Sequence, residues 1–290
     1  MSTNSFVTNK LSVELSIVIV GMNHLSKLKN LFNSLLGEGK TTRSHEIILV
    51  DNCSTDGSVE YVAANYPGVI IYQNDTVRGF AANNNQGVSV SSGQYLFICN
   101  PDMVILPGAI DEMIKFHESN PGVGIVCPKL LNSDLTYQYS VRRFHNLKVL
   151  ALRTLSWAND EWTNKYIRKY LMLEFDKSKT QLIDWALGAA MVLRRSVYQQ
   201  LGGFDEKFFL YVEDVDLCLR CWTAGFTVVY CSQAVCIHDH QRASTKGINV
   251  LLWHHAKSMA YFFYKHKLLW RPARGFEELR QPEDNVFHRG

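Results

Sequence analysis

No stretch of this chain approaches the ~20 consecutive apolar residues that a membrane-spanning helix requires. The opening residues, MSTNSFVTNK, lack the charged-then-apolar layout of a secretion signal. There is no internal repeat, no low-complexity tract and no linker-like run. Strong net charge is missing too: the formal balance over 290 residues is +3, too mild to argue for a nucleic-acid partner. These absences argue against a spanning helix, a solenoid and a disordered chain. The expectation is a cytoplasmic protein.

What is present is ordinary globular composition, 47% hydrophobic and 20% charged. A chain of this length can bury a sizeable core as one large domain with an appendage. Among the seven cysteines, Cys218, Cys221, Cys231 and Cys236 have a spacing that invites a zinc reading. Their neighbours are apolar and helix- or strand-like, so they read as small core residues.

The first half alternates. Apolar runs at 15–20, 46–51, 69–74, 95–100 and 124–128 read as strands. Helical spacing falls at 24–36, 59–65, 81–90 and 107–119. Such alternation predicts a mostly parallel α/β sheet with helices on both faces. Strand C-termini then share one edge, where ligands of open α/β sheets bind. The second half is less regular. Residues 146–172 look helical and aromatic, 183–195 run from a turn into a strand, 214–224 form a helix stopped by Gly225, and 227–231 form a strand. A long helix is expected over 245–266, and residues 271–290 read as a polar tail.

Polar residues collect at the predicted strand ends. Asp51 and Asn52 end the second strand; Asp51 is placed to accept hydrogen bonds from a base or ribose, while Asp56, Gly57 and Ser58 suit a helix cap. Arg78 precedes GFAANNNQG, which reads either as an amide-rich surface helix or as close backbone approach to a ligand, with Arg78 free for a phosphate. Asn100-Pro101-Asp102 ends the fourth strand, and one carboxylate there can help hold a divalent cation on a diphosphate. Glu213, Asp214 and Asp216 cluster beside Phe208, Phe209 and Tyr211. One acid would suffice for a helix N-terminus, so one of the three is a candidate general base, its pKa raised by partial desolvation. His238 follows the strand near Val235 as a candidate metal ligand, with Arg242 or Ser244 for phosphate.

Taken in order, SIVIVGMNH, ILVDNCSTDGS, GFAANNNQG, ICNPDM, DWALGAAMVLRR, FLYVEDVDLCLR and the histidine of CIHDH resemble family 2 of the glycosyltransferases, inverting enzymes of the GT-A (Rossmann-like) fold. The resemblance spans about Leu15 to His266. It implies a GT-A domain over 15–245, after an N-terminal tail (1–14) and before a C-terminal helix and tail (246–290) on the acceptor side. YSVRRF at 139–144 and NPD in place of DxD look most like the rhamnosyltransferase branch, which implies dTDP-L-rhamnose as donor. The implied acceptor is lipid-linked or a polysaccharide, in bacterial cell-surface glycans such as O-antigen.

By the same resemblance, Asp51 and Asn52 would bind the nucleotide. Asp102 and His238 would hold Mg²⁺ or Mn²⁺ against the diphosphate, with uncharged Asn100 at the first Asp position. Asp214 would be the catalytic base, with Glu213 beside it and swapped roles open. Trp185 and Gly188 would line the sugar pocket, and Arg78 and Arg242 would meet phosphate. Two other classes compete. A nucleotidyltransferase needs a Gly-rich basic loop after the first strand, and Gly21-Met22-Asn23-His24 has no Lys or Arg. A non-catalytic sugar-nucleotide-binding module does not need the acid cluster.

The basic stretch Arg142, Arg143, His145, Lys148, Arg153, Lys165, Arg168 and Lys169, interleaved with Leu, Trp and Tyr, reads as a solvated helix face or as contact with phosphate or anionic membrane. With the Trp/Phe/Lys-rich helix at 253–270 it gives an expectation of peripheral contact at the inner face of the plasma membrane.

Overall fold

The computed structural model describes residues 13–155, 164–239 and 250–268. The first half alternates as the periodicity predicts: β1 (Leu15–Gly21), α1 (Leu25–Leu36), β2 (His45–Asp51), α2 (Ser58–Asn65), β3 (Ile70–Gln73), α3 (Phe80–Ser89) and β4 (Tyr95–Cys99). β1 pairs in parallel with β2 and β4, and β2 with β3. Every residue of β4 is buried, as a central strand covered by helices must be. α1 buries Leu28, Leu31, Phe32 and Leu35, one helical stripe. α3 lies so close to β1 that a Cβ on Gly87 would stand 2.4 Å from Val18 Cγ1.

The chain continues through β5 (Met103–Ile105), α4 (Ala109–Ser119), β6 (Val123–Leu131), β7 (Val141–Arg142), α5 (Leu147–Leu155), α6 (Lys165–Tyr170), β8 (Gln181–Leu182), β9 (Trp185–Ala186), β10 (Ala190–Arg194), α7 (Arg195–Gln200), α8 (Glu213–Thr223), β11 (Thr227–His238) and α9 (Val250–Lys265). The main sheet has nine strands in the order β3-β2-β1-β4-β10-β6-β11-β5, with β8 on β11. β1, β2, β3, β4, β6 and β11 share one direction; β5, β8 and β10 oppose it. The sheet is therefore mixed and mostly parallel. A separate ribbon pairs β7 with β9, setting Arg142 opposite Trp185.

α8 ends where glycine permits. Gly225 has φ +86°, and Phe226 N–H closes back on Cys221 O at 3.1 Å, satisfying carbonyls the helix leaves open. Cys218, Cys221, Cys231 and Cys236 are buried and unpaired by disulfide. Burial pushes the Cys221 and Cys236 thiols up to about 12, which suits core residues rather than thiolate ligands.

α9 buries Ser258, Met259, Phe262 and Phe263. It covers the 204–212 loop through Phe208–Tyr261, Phe209–His254 and Tyr211–His255 ring contacts.

Candidate active site

The ends of β1, β2, β4 and β11 build one side of the site. β1 and β2 finish level, Gly21 opposite Asp51. Asp51 Oδ2 accepts from Ser54 N–H at 3.0 Å, and Asn23, at φ 55°, ties the β1 loop to Ser54 and Thr55. Asp56 caps twice, accepting from Leu25 N–H at the start of α1 and from Ser58 N–H at the start of α2. The capping expected of 56–58 is thus real, and Asp51 lies at the sheet edge above it.

Asn52 is 6% exposed and its amide is fully engaged. It donates to Arg78 O and accepts from Arg78 N–H and Asn74 Nδ2–H. Its side chain fixes the loop that presents the exposed Arg78 side chain. The amides of GFAANNNQG follow neither sequence reading. Asn83 and Asn84 are buried, and they clamp Arg78 O and Phe80 O. Asn85 holds Phe204 O and N–H. Gly79 makes a close backbone approach, but to the 204–212 loop: a Cβ there would lie 2.6 Å from Phe209 O.

At the end of β4, Asp102 Oδ1 faces His238 Nε2 across 3.3 Å, and β5 pairs with β11 so that Met103 lies opposite His238. His238 is 3% exposed, and its Nδ1 lies 2.7 Å from Gln138 Oε1. Asp239 points away, to Lys27 and Ser133. Asn100 Oδ1 is buried with no hydrogen-bond partner among the described residues. Arg242 and Ser244 lie outside the described residues.

The acid pair forms the other side. Glu213 and Asp214 open α8 after Tyr211 and Val212, both in the left-handed region at φ 68° and 72°. Backbone strain of this kind collects at functional sites. Asp214 Oδ2 accepts from Gly188 N–H at 2.9 Å and Oδ1 from Val215 N–H at 2.8 Å. Burial raises the Asp214 carboxyl, and these two N–H donors and the Arg142 charge offset part of the rise. Burial raises Glu213 well above the carboxylate range, and the neighbouring Asp214 charge adds to it. Its Oε2 has no hydrogen-bond partner among the described residues. The donors favour charge on Asp214, leaving the proton on Glu213.

One backbone link joins the two sides: Asn100 N–H donates to Ala189 O at 2.8 Å, next to Gly188. Trp185 is 5% exposed; its indole N–H is held by Arg143 O and its ring stacks on His145 at 5.5 Å. Arg142 lies over the Tyr170 and Trp185 rings at 5.9 and 6.0 Å. The basic stretch is therefore not one solvated face. Arg142 and buried His145 turn inward, Arg143 reaches Asp184, and Lys148 covers the Tyr166 ring. The Arg153 side chain is outside the described residues.

Residues 16–202 match the model of Glycosyl transferase family 2. The chain belongs to that family. Among its relatives, the N-acetylglucosaminyl-diphospho-decaprenol L-rhamnosyltransferase of Mycobacterium tuberculosis is 28% identical over 80% of this chain and 78% of its own. The rhamnosyltransferase WbbL of Escherichia coli K12 is 26% identical over 94% and 98%. In fold, the transferase is similar to GalNAc-T7, solved with UDP, GalNAc and Mn²⁺ (TM-score 0.63, 16% identity, 93% of this chain and 54% of that one). It is also similar to the mannosyltransferase PcManGT of Pyrobaculum calidifontis, solved with GDP-Man and Mn²⁺ (TM-score 0.60, 16% identity, 90% and 65%). The chain thus spans about half of the GalNAc-T7 chain.

Proposed function

We propose that this family 2 enzyme is an inverting rhamnosyltransferase that moves L-rhamnose from dTDP-L-rhamnose to a lipid-linked or polysaccharide acceptor in bacterial cell-surface glycan synthesis. Two relatives named as rhamnosyltransferases support the donor sugar. The observation that carries the chemistry is a buried Asp214 held by two backbone N–H donors, one of them Gly188, whose neighbour Ala189 accepts from Asn100 N–H two residues before Asp102. The domain is taken as 15–245, with α9 on its acceptor side.

Asp51 and the loop held by Asn52 receive the nucleotide, and Arg78 meets phosphate. Asp102 and His238 suit a divalent cation: a carboxylate oxygen and an imidazole nitrogen face one another at 3.3 Å. A Mg²⁺ or Mn²⁺ ion held by one protein carboxylate commonly takes further ligands from diphosphate and water. Bound Mg²⁺ or Mn²⁺ would neutralise the charge of the leaving diphosphate. Asp214 removes the proton of the acceptor hydroxyl. That oxygen attacks the anomeric carbon from the face opposite the nucleotide, so configuration inverts and no covalent enzyme intermediate forms. Glu213, protonated, keeps a second negative charge out of the pocket. Gly188 holds Asp214, and Trp185 and Gly188 line the donor-sugar and acceptor pocket.

The test is calorimetric titration with dTDP-rhamnose, UDP-glucose, UDP-galactose and GDP-mannose, with Mg²⁺ and with EDTA. It is paired with turnover of Asp214→Asn. Metal-dependent binding of dTDP-rhamnose alone is expected. Asp214→Asn should bind that donor as the wild type does and lose about 10²–10⁴-fold in kcat. Preference for a UDP or GDP sugar discards the rhamnose assignment, and an active Asp214→Asn discards the base.

A further inference from the structure

Beyond the end of β6 the chain folds back on itself. Asn132 N–H donates to Thr136 O at 2.8 Å, Leu135 takes φ 65° at the tip, and Gln138 N–H returns to Leu130 O. Because β6 runs parallel to β11, with Leu131 opposite Ile237, the returning arm arrives beside His238. The side chains of this hairpin are bonded in a row, and the row has a direction.

The direction starts at Asp134, an ionised carboxylate, which can only accept. Thr136 donates its hydroxyl hydrogen to Asp134 Oδ1 at 2.6 Å. The Thr136 oxygen is then the acceptor for Asn132 Nδ2–H at 2.9 Å. That fixes the Asn132 amide, so its Oδ1 accepts from Gln138 Nε2–H at 2.9 Å. The same Gln138 Nε2 donates to His238 O at 3.2 Å, a second acceptor that forces the same amide orientation. Gln138 Oε1 is left facing His238 Nδ1 at 2.7 Å, and an amide oxygen can only accept. The proton must therefore sit on Nδ1. In the neutral ring Nε2 then carries the lone pair, and it is Nε2 that faces Asp102 Oδ1.

We propose that Gln138 is a positioning residue: through the 132–138 hairpin it fixes His238 as the Nδ1–H tautomer and aims the Nε2 lone pair at Asp102. A lone pair and a carboxylate oxygen directed at each other repel unless a positive centre (a second ring proton, a basic side chain or a metal cation) lies at the pair. The device thus prepares the pair for a cation, and this consequence rests on the metal reading above. Gln138 is 8% exposed and His238 3%, so water does not compete for these bonds. A glutamine in a turn carries no motif, and only the fold shows its task.

The experiment reads the tautomer directly. Metal-free protein labelled with ¹⁵N-histidine is examined above the histidine titration range by two-bond ¹H–¹⁵N correlation, with His238 assigned by loss of its signals in His238→Gln. The wild type should show protonated Nδ1 and bare Nε2. Gln138→Met, which keeps the volume but offers Nδ1–H only a weak thioether acceptor, should shift His238 toward the Nε2–H form. Protonated Nε2 in the wild type overturns the proposal whatever the variant does, so the test survives a variant that fails to fold. So does an unchanged tautomer in a folded Gln138→Met. A parallel Mn²⁺ titration with dTDP, read by the electron paramagnetic resonance of free Mn²⁺, should show about 10–100-fold weaker binding in Gln138→Met. A shifted tautomer with unchanged Mn²⁺ affinity upholds the role of Gln138 and removes His238 from the metal site.

Discussion

Gly188 has no side chain because Asp214 stands where one would go: a Cβ there would lie 3.1 Å from Asp214 Cβ. Gly188→Ala should push the carboxylate off its N–H donor. The expected result is a fall in kcat of about 10²-fold with little change in melting temperature or donor KM. The pH profile belongs to the same residues. Asp214 must be ionised to accept a proton, and its pKa is raised by burial. Activity should therefore be full above that raised pKa and fall as pH drops through it, with the acid limb of kcat above the usual carboxylate range. A limb at or below that range would contradict the buried base. Polar residues at strand ends singled out Asp51, Asp102 and His238 in the sequence, and an acid cluster at a helix start singled out Asp214. The internal duties of Asn52 and Asn83 were not legible, because an amide that clamps a backbone and one that binds a ligand are spelled alike.

At the scale of elements, α8 and α9 are joined by charge. Asp216, 0% exposed, sits in the first turn of α8, two residues past Asp214. It receives Arg220 Nε at 2.7 Å from its own helix, and Lys265 and His266 at 2.7 Å each from the end of α9. Burial alone would raise its pKa, yet the His266 hydrogen bond, Arg220 and Lys265 bring it below the ordinary value. Lys265 also reaches Asp205, as does Tyr261, so α9 straps the strained loop that leads into the acid pair. Asp216→Asn takes from partly buried Arg220 its carboxylate and from Lys265 one of the two it reaches. It should cost about 3 kcal/mol in urea unfolding, and a loss below about 0.5 kcal/mol would show that the strap carries no weight. Periodicity marked the long elements well, from β1 to α4 and again at α8 and α9. β5, β7 and β8, of two or three residues each, were too short to show a period. The reversed direction of β10 was invisible because alternation has no polarity.

For the molecule as a whole, one buried histidine ties a covering helix to the sheet. His117 of α4 donates from Nε2 to Val192 O of β10 at 3.0 Å, and burial lowers its pKa from 6.5 to about 4. The unfolded chain binds this proton first. The stability it contributes is therefore complete above pH 6.5 and is lost as pH falls toward 4, about 3 kcal/mol in all. His117→Gln should flatten the acid limb of stability over that window, and an unchanged slope would refute the assignment.

The outer face of α9 is the other property of the whole. Val250, Trp253 and Tyr264 are 70%, 60% and 77% exposed, and Lys257 lies 5.2 Å from the Trp253 ring centroid. From 240 to 276 the sequence has no Asp or Glu. No helix among the described residues is long and apolar enough to cross a membrane. The peripheral contact proposed from the sequence therefore predicts that the protein pellets with anionic vesicles at low salt and not with neutral ones. Trp253→Ser should weaken that binding by about tenfold. Failure to pellet would end the membrane reading.

The pairing of β10 with β4 has a consequence for how such a protein can diversify. Five residue pairs, from Ala190 opposite Cys99 to Arg194 opposite Tyr95, set these strands against one another. Being antiparallel, the pair brings the entry to one strand and the exit from the other to the same edge, where Ala189 meets Asn100. On the function proposed above, this register helps set the distance between the departing phosphate and the incoming hydroxyl. On that reading α5 and α6, which lie outside this sheet, can change to suit a new acceptor while the register stays as it is. New linkages can be tried on this scaffold without rebuilding the part that makes the bond.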